Sequence, residues 1–246
     1  MSSAVRRPRV LLAAAVLVLA GCGGGDGGGE AAGSSAATST SATETSAPDL
    51  ASGLLTADAF PDDATVVAVS LEQLRAGAGL SALGKDFTVS PPECAPAVQG
   101  AQPDLEAFDD VTGVSAQSPA GVTVEVLLRG GPTTGAVDLL AGAVERCPQA
   151  QISSPQIGTA TVTFEEVPVP DLGDGAIALR FTTAVTLPDG TQTSVPALIG
   201  VFEDGDRLGL LTSLTDPTTP GALAPDAAAF TDLLEQAYQV QADALG

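Results

Sequence analysis

Ile177–Ser213 reads IALRFTTAVTLPDGTQTSVPALIGVFEDGDRLGLLTS. Ile177, Leu179, Phe181, Thr183 and Val185 fall on one side of an alternating run, the pattern of a strand. Pro188-Asp189-Gly190 is a turn signal, after which Thr191–Phe202 returns. Asp204-Gly205-Asp206 makes a second tight turn into Leu208–Ser213. Asp and Gly dominate such turns because of the backbone angles they tolerate. Three strands joined this closely predict an antiparallel meander.

Outward from the meander, Thr159–Phe164 alternates cleanly, with Ala160, Val162 and Phe164 against threonines. Val111–Ala116 and Val122–Arg129 flank Ser118-Pro119-Ala120-Gly121 and predict a hairpin. Its second arm sets Val122, Val124, Val126 and Leu128 against Thr123, Glu125 and Arg129, which reads as a half-buried strand. Ala64–Val69 reads as a first strand, and Leu71–Arg75 as a helical turn stopping at Gly77 and Gly79. Leu54–Phe60 is a short helix candidate ended by Pro61. Cys94 is expected to open a helix reaching toward Gln99 after the prolines at 91 and 92. Thr134–Arg146 reads as a helix with Val137, Leu140, Ala141 and Val144 on one face, a face that Cys147 continues. The last helix is expected from Pro225 to about Leu245, its stripe formed by Phe230, Leu233, Leu234, Ala237 and Tyr238. The fold class is α+β: an antiparallel meander packed by flanking helices, in two layers.

The front of the chain is different. Arg6, Arg7 and Arg9 precede an apolar run of about eleven residues that ends in Leu19-Ala20-Gly21-Cys22. A spanning helix needs about 20 such residues, so residues 1–21 read as a secretory signal. Leu19–Cys22 resembles the bacterial lipobox, which implies cleavage before Cys22 and lipid on its sulfur. Twin-arginine export is disfavoured because Pro8 and Arg9 follow the arginine pair. Residues 22–48 are nearly all Gly, Ser, Thr and Ala and are expected to form a tether. Its reach as a coil is about 25–30 Å, and its hydroxyl cluster is a candidate for O-linked sugars. Residues 49–246 form the single expected domain.

Three of the nine basic residues lie in the signal, so a chain starting at Cys22 keeps six against thirty acids, a net charge of −24. That charge repels nucleic acid and anionic headgroups. Cys94 and Cys147 are the cysteines left for the domain. In an exported protein they are expected to form one disulfide. The competing reading is a thiol pair for metal, which a chain with no His at all serves poorly.

Catalytic motifs are sparse. A serine nucleophile needs a base, usually His, and Ser81 precedes Lys85 by four positions, one too many for Ser-x-x-Lys. Gly77-Ala78-Gly79 does not continue as a dinucleotide fingerprint. Paired acids at Asp62-Asp63, Asp109-Asp110 and Glu165-Glu166 have the residue type of a glycosidase pair, but a chain with no Trp and one Tyr lacks aromatic sugar platforms. The Asp171–Gly175 and Asp204–Asp206 stretches lack the terminal Glu of a calcium loop and read as turns. No enzyme activity, metal or cofactor is expected.

The lipobox, the Ser/Thr tether, Leu54-Leu55-Thr56 with Phe60-Pro61, Pro91-Pro92-Glu93-Cys94, a helix ending in Cys147 and a terminal amphipathic helix together resemble actinobacterial cell-envelope lipoproteins of the sensor-domain-like family. That family is related to the extracellular sensor domain of receptor Ser/Thr kinases and includes lipoproteins with a domain of unknown function. The resemblance covers about Leu54–Leu245 and implies an α+β fold with a cleft, a disulfide and an envelope role. The receptor kinases carry more cysteines and a kinase domain, so the single-bridge lipoproteins are the nearer match. Two functions follow as expectations. The first is a membrane-anchored, extracytoplasmic binding or sensing module, non-catalytic, for a small molecule, lipid, glycan or envelope protein. The alternative is a carrier of an apolar lipid or glycolipid across the envelope. A roomy apolar pocket favours the carrier and a shallow polar cleft the sensor.

Overall fold

The computed structural model describes residues 48–78, 88–99, 103–154, 158–186, 192–215 and 224–246. The signal, Cys22, almost all of the tether, Ser81, Lys85 and the expected turn at 188–190 lie outside the described residues. Along the chain run β1 (Thr65–Val69), α1 (Leu71–Ala78), β2 (Thr88–Ser90), α2 (Ala95–Gln99), β3 (Asp110–Ser118), β4 (Gly121–Arg129) and α3 (Ala136–Arg146). Then come β5 (Gln149–Ser154), β6 (Gly158–Val167), β7 (Gly175–Thr186), β8 (Gln192–Asp204), β9 (Arg207–Thr215) and α4 (Ala227–Leu245).

All nine strands join one antiparallel sheet in the order β1-β3-β4-β9-β8-β7-β6-β5-β2. The expected meander is present from β6 to β9, β5 is added at its start, and β9 closes onto the β3–β4 hairpin. β1 and β2, early in sequence, occupy the two opposite edges. The β8–β9 ladder runs from Ala197 to Asp204. Pro196 therefore sits just beyond it, where its missing N–H removes no bond from that ladder.

The α+β class holds, but helices cover both faces of the sheet, which gives three layers where the sequence suggested two. On one face α4 and the Leu50–Gly53 turn bury Leu127, Leu198, Phe202 and Leu211 under Phe230, Leu234 and Ala237. The helix comes so close that a Cβ on Gly200 would stand 2.7 Å from Leu234 Cδ2. On the other face α3 packs Leu140 and Val144 over Ile177, Leu179, Val201 and Leu208. Because both faces are covered, β4 is not half-buried as expected: Glu125 and Leu127, on its expected outer side, are 2% and 1% exposed.

Helix ends explain several boundaries. Asp226 caps α4 by accepting from the Ala229 amide at 2.9 Å, so the helix starts at Ala227, two residues later than a proline at position 225 suggested. Gly135, at φ 85°, precedes α3 and carries no side chain to cap it. Glu203 of β8 does so from across the fold, accepting from Gly135 N at 3.1 Å and Val137 N at 2.7 Å. The expected helix at 54–60 is absent; short 3-10 turns at Leu50–Gly53 and Ala57–Ala59 replace it, since Pro61 and its restricted predecessor leave no room for a second α-turn.

Cys94 and Cys147 form the expected disulfide, with Cα atoms 5.5 Å apart. It ties the turn before α2 to the end of α3, among buried Val89, Ala97, Ala143 and Ala150. Among the described residues no helix is long and apolar enough to cross a membrane.

Candidate functional site

A cleft of about 1010 Å³ opens where the first turns of α4 pass over the corner of the sheet. Phe60, Pro61 and Ala64 bring one wall from the N-terminal segment, and Ala229, Phe230 and Leu233 bring another from α4. The positions 225, 229, 232, 233 and 236 recur at helical spacing, so one flank of α4 serves the cleft while Leu234 and Ala237 serve the core. The remaining wall is built by Ala116 and Ser118 of β3, Gly121 to Thr123 of β4, and Ser213 to Thr215 of β9.

Register explains the polar spot in this wall. Thr123 pairs with Ala116 on β3 and with Ser213 on β9. Cross-strand partners share a face, and the Thr123 and Ser213 hydroxyls meet at 3.2 Å. Asp226, Asp232 and Gln236 are the exposed polar groups on the α4 side. Among the described residues, no Lys or Arg lines the cleft.

One pleat deeper on the same face of β4 lies Glu125, with Val114 and Leu211 as its strand neighbours. Its Oε2 accepts from Leu55 N at 2.8 Å. Burial pushes its pKa up from 4.5 to about 7, and the Leu55 N–H opposes that rise. The sequence alternation gave no signal of this residue, because a glutamate on the polar side of a strand reads as solvent-facing.

The acid pairs singled out in the sequence do not converge. Asp62 and Asp63 are exposed in the turn before β1. Asp110 pairs with Arg129 at 2.7 Å and Glu165 with Arg180 at 3.2 Å. Asp174 and Asp204 serve turns and strand ends: Asp174 Oδ2 accepts from Gly205 N at 2.8 Å, and Asp204 pairs with Arg207 at 2.7 Å. Asp58, fully exposed, has its pKa lowered by a hydrogen bond from the Thr56 hydroxyl. Among the described residues no group of three or more His, Cys, Asp or Glu comes together.

At the far end of β4 from the cleft, Arg129 Nη1 donates to the Pro48 carbonyl at 3.0 Å. Eight residue steps along β4 separate Gly121 from Arg129, about 27 Å. The described chain thus enters the domain at the end of the sheet away from the cleft.

No protein-family model matches this chain, and no curated protein matches it either. Among solved structures it is similar to an uncharacterized protein from Mycobacterium smegmatis, the Rv0999 ortholog, with a TM-score of 0.52 and 11% sequence identity. The match covers 79% of this chain and 97% of that one. At that identity the likeness is one of fold: the α+β domain described here resembles an actinobacterial domain of unknown function.

Proposed function

We propose that this protein is a non-catalytic, lipid-anchored binding module of the extracytoplasmic membrane face, and that the cleft beside α4 is its ligand site. The observation that carries the reading is the cleft: about 1010 Å³, walled by Phe60, Ala116, Phe230 and Leu233, with Thr123, Ser213 and the α4 acids as polar groups on a lining that is mostly apolar. Apolar concavities of several hundred Å³ with a few convergent polar groups are the usual form of small-molecule sites. The lipobox at Leu19–Cys22 supplies the anchor, and the tether gives the domain freedom to reach ligand near the bilayer. The same apolar lining favours the carrier reading over a sensor of polar solutes. The relation to sensor-domain-like envelope lipoproteins belongs to this proposal and rests on the sequence motifs.

The test is native mass spectrometry of the chain from residue 22, with Cys22→Ser to remove its own lipid, after incubation with an envelope lipid and glycan extract. A retained apolar mass that disappears in Ala229→Trp, which fills the cleft from an exposed helix position, supports the reading. A bare protein mass, or a ligand indifferent to the tryptophan, removes the cleft from the function.

A further inference from the structure

We infer that the cleft selects its ligand by head-group charge: it takes an aliphatic chain bearing an uncharged, hydroxylated head, and discriminates against the same chain with an anionic head. This rests on the reading of the cleft as the ligand site. The chain is matched by Phe60, Ala64, Phe230 and Leu233, since apolar area buried in such a site is the main source of affinity. The head is matched by the Thr123–Ser213 pair, whose 3.2 Å contact engages one hydroxyl proton. A hydroxyl carries one donor and two acceptor sites, so the pair keeps a second proton and further lone pairs to offer. A ligand hydroxyl, itself donor and acceptor, satisfies that surface in either direction.

Charge disfavours the anion. Asp226 and Asp232 stand on the lining, and among the described residues no basic side chain joins them. Of the described arginines, those at 75, 129, 180 and 207 lie elsewhere, beside Glu106, Asp110, Glu165 and Asp204, and Arg146 is on α3, over the opposite face of the sheet. An anionic head would lose water without a counter-ion and face like charge. A cation gains little: both aspartates are exposed to water and Asp226 is engaged with the Ala229 amide, and exposed ion pairs contribute little.

The test uses three probes sharing one saturated chain: 1-monolauroylglycerol, laurate and dodecyltrimethylammonium, all below their micellar concentrations. Each displaces N-phenyl-1-naphthylamine from the chain starting at residue 22 with Cys22→Ser, at mildly alkaline pH and low salt. The expected order is monolauroylglycerol tightest, with laurate weaker by about ten-fold or more. Asp232→Lys should narrow that gap through laurate alone, and added salt should narrow it too. Laurate binding as tightly as monolauroylglycerol overturns the inference while leaving the cleft as the ligand site, and so does clearly tighter binding of the ammonium probe. Failure to capture the naphthylamine or any probe overturns the ligand-site reading itself, as does capture that Ala229→Trp leaves unchanged.

Discussion

The Leu55 amide donates to Glu125 Oε2 at 2.8 Å, across 70 positions of sequence. The bond fastens the N-terminal segment, which carries Leu50, Leu54 and Phe60 into the core, to the middle of β4. It also fixes a carboxyl group where water is nearly excluded, at 2% exposure. That is a polar device inside an apolar layer, and its cost depends on pH.

Glu125 loses stability for the fold as it ionises. Its pKa is raised from 4.5 to about 7, so the folded state binds the proton more tightly than the unfolded chain does. Its contribution is fully present below pH 4.5 and lost as pH rises through about 7. The difference at alkaline pH is about 3 kcal/mol at most. Glu125→Gln keeps an acceptor for Leu55 and removes the titration. Denaturant midpoints should show the variant close to the parent in mild acid and more stable than it at alkaline pH. An identical pH slope for the two proteins refutes the assignment.

Gly209 leaves the space that Phe202 fills. The two residues face each other on β8 and β9, and a Cβ on Gly209 would stand 2.1 Å from Phe202 Cζ. The ring is also held edge-on by Tyr238, with centroids 5.6 Å apart. Gly209→Ala should therefore destabilise by about 1–3 kcal/mol, read as a shifted unfolding midpoint. Gly205→Ala is the control of opposite kind: its φ of 61° is strained for alanine, but nothing lies within 4 Å of the added Cβ. If Gly209→Ala is neutral, the ring is not packed where we describe it.

The Cys94–Cys147 bridge spans 53 positions. The chain-entropy account gives about 4 kcal/mol for a loop of that size. A Cys94→Ala, Cys147→Ala double variant should unfold at markedly lower denaturant, and reductant should shift the parent by the same amount and leave the variant unmoved. A parent insensitive to reductant under unfolding conditions contradicts the bridge.

Cys22 decides attachment in the proposed function. Cys22→Ser should move the protein from the membrane fraction to the soluble fraction when expressed in an actinobacterial host, while Cys94→Ala should leave it with the membrane. Two acyl chains give stable anchoring, and loss of all of them leaves an acidic chain with nothing to hold it there. Continued membrane association of Cys22→Ser would sink the anchor assignment.

Local sequence determined the hairpins, the meander, both long helices and the identity of the bridging cysteines. Alternation in Ile177–Val185 and the Asp-Gly turn at 204–206 act within a few residues, so their outcome is written where they stand. β5 was not legible, because Gln149-Ala-Gln-Ile-Ser-Ser154 has little apolar pattern and becomes a strand by pairing with β6. β2, three residues long, is defined by its pairing with β5. The placement of β1 and β2 at opposite edges, the second covered face, the burial of Glu125 and the cap that Glu203 gives α3 are likewise tertiary decisions. So is the cleft, whose walls come from residues 59–64, 116–123, 213–215 and 224–236. Each depends on free energy gained between segments far apart in sequence, and periodicity reports only which side of an element is apolar, never what will come to cover the other.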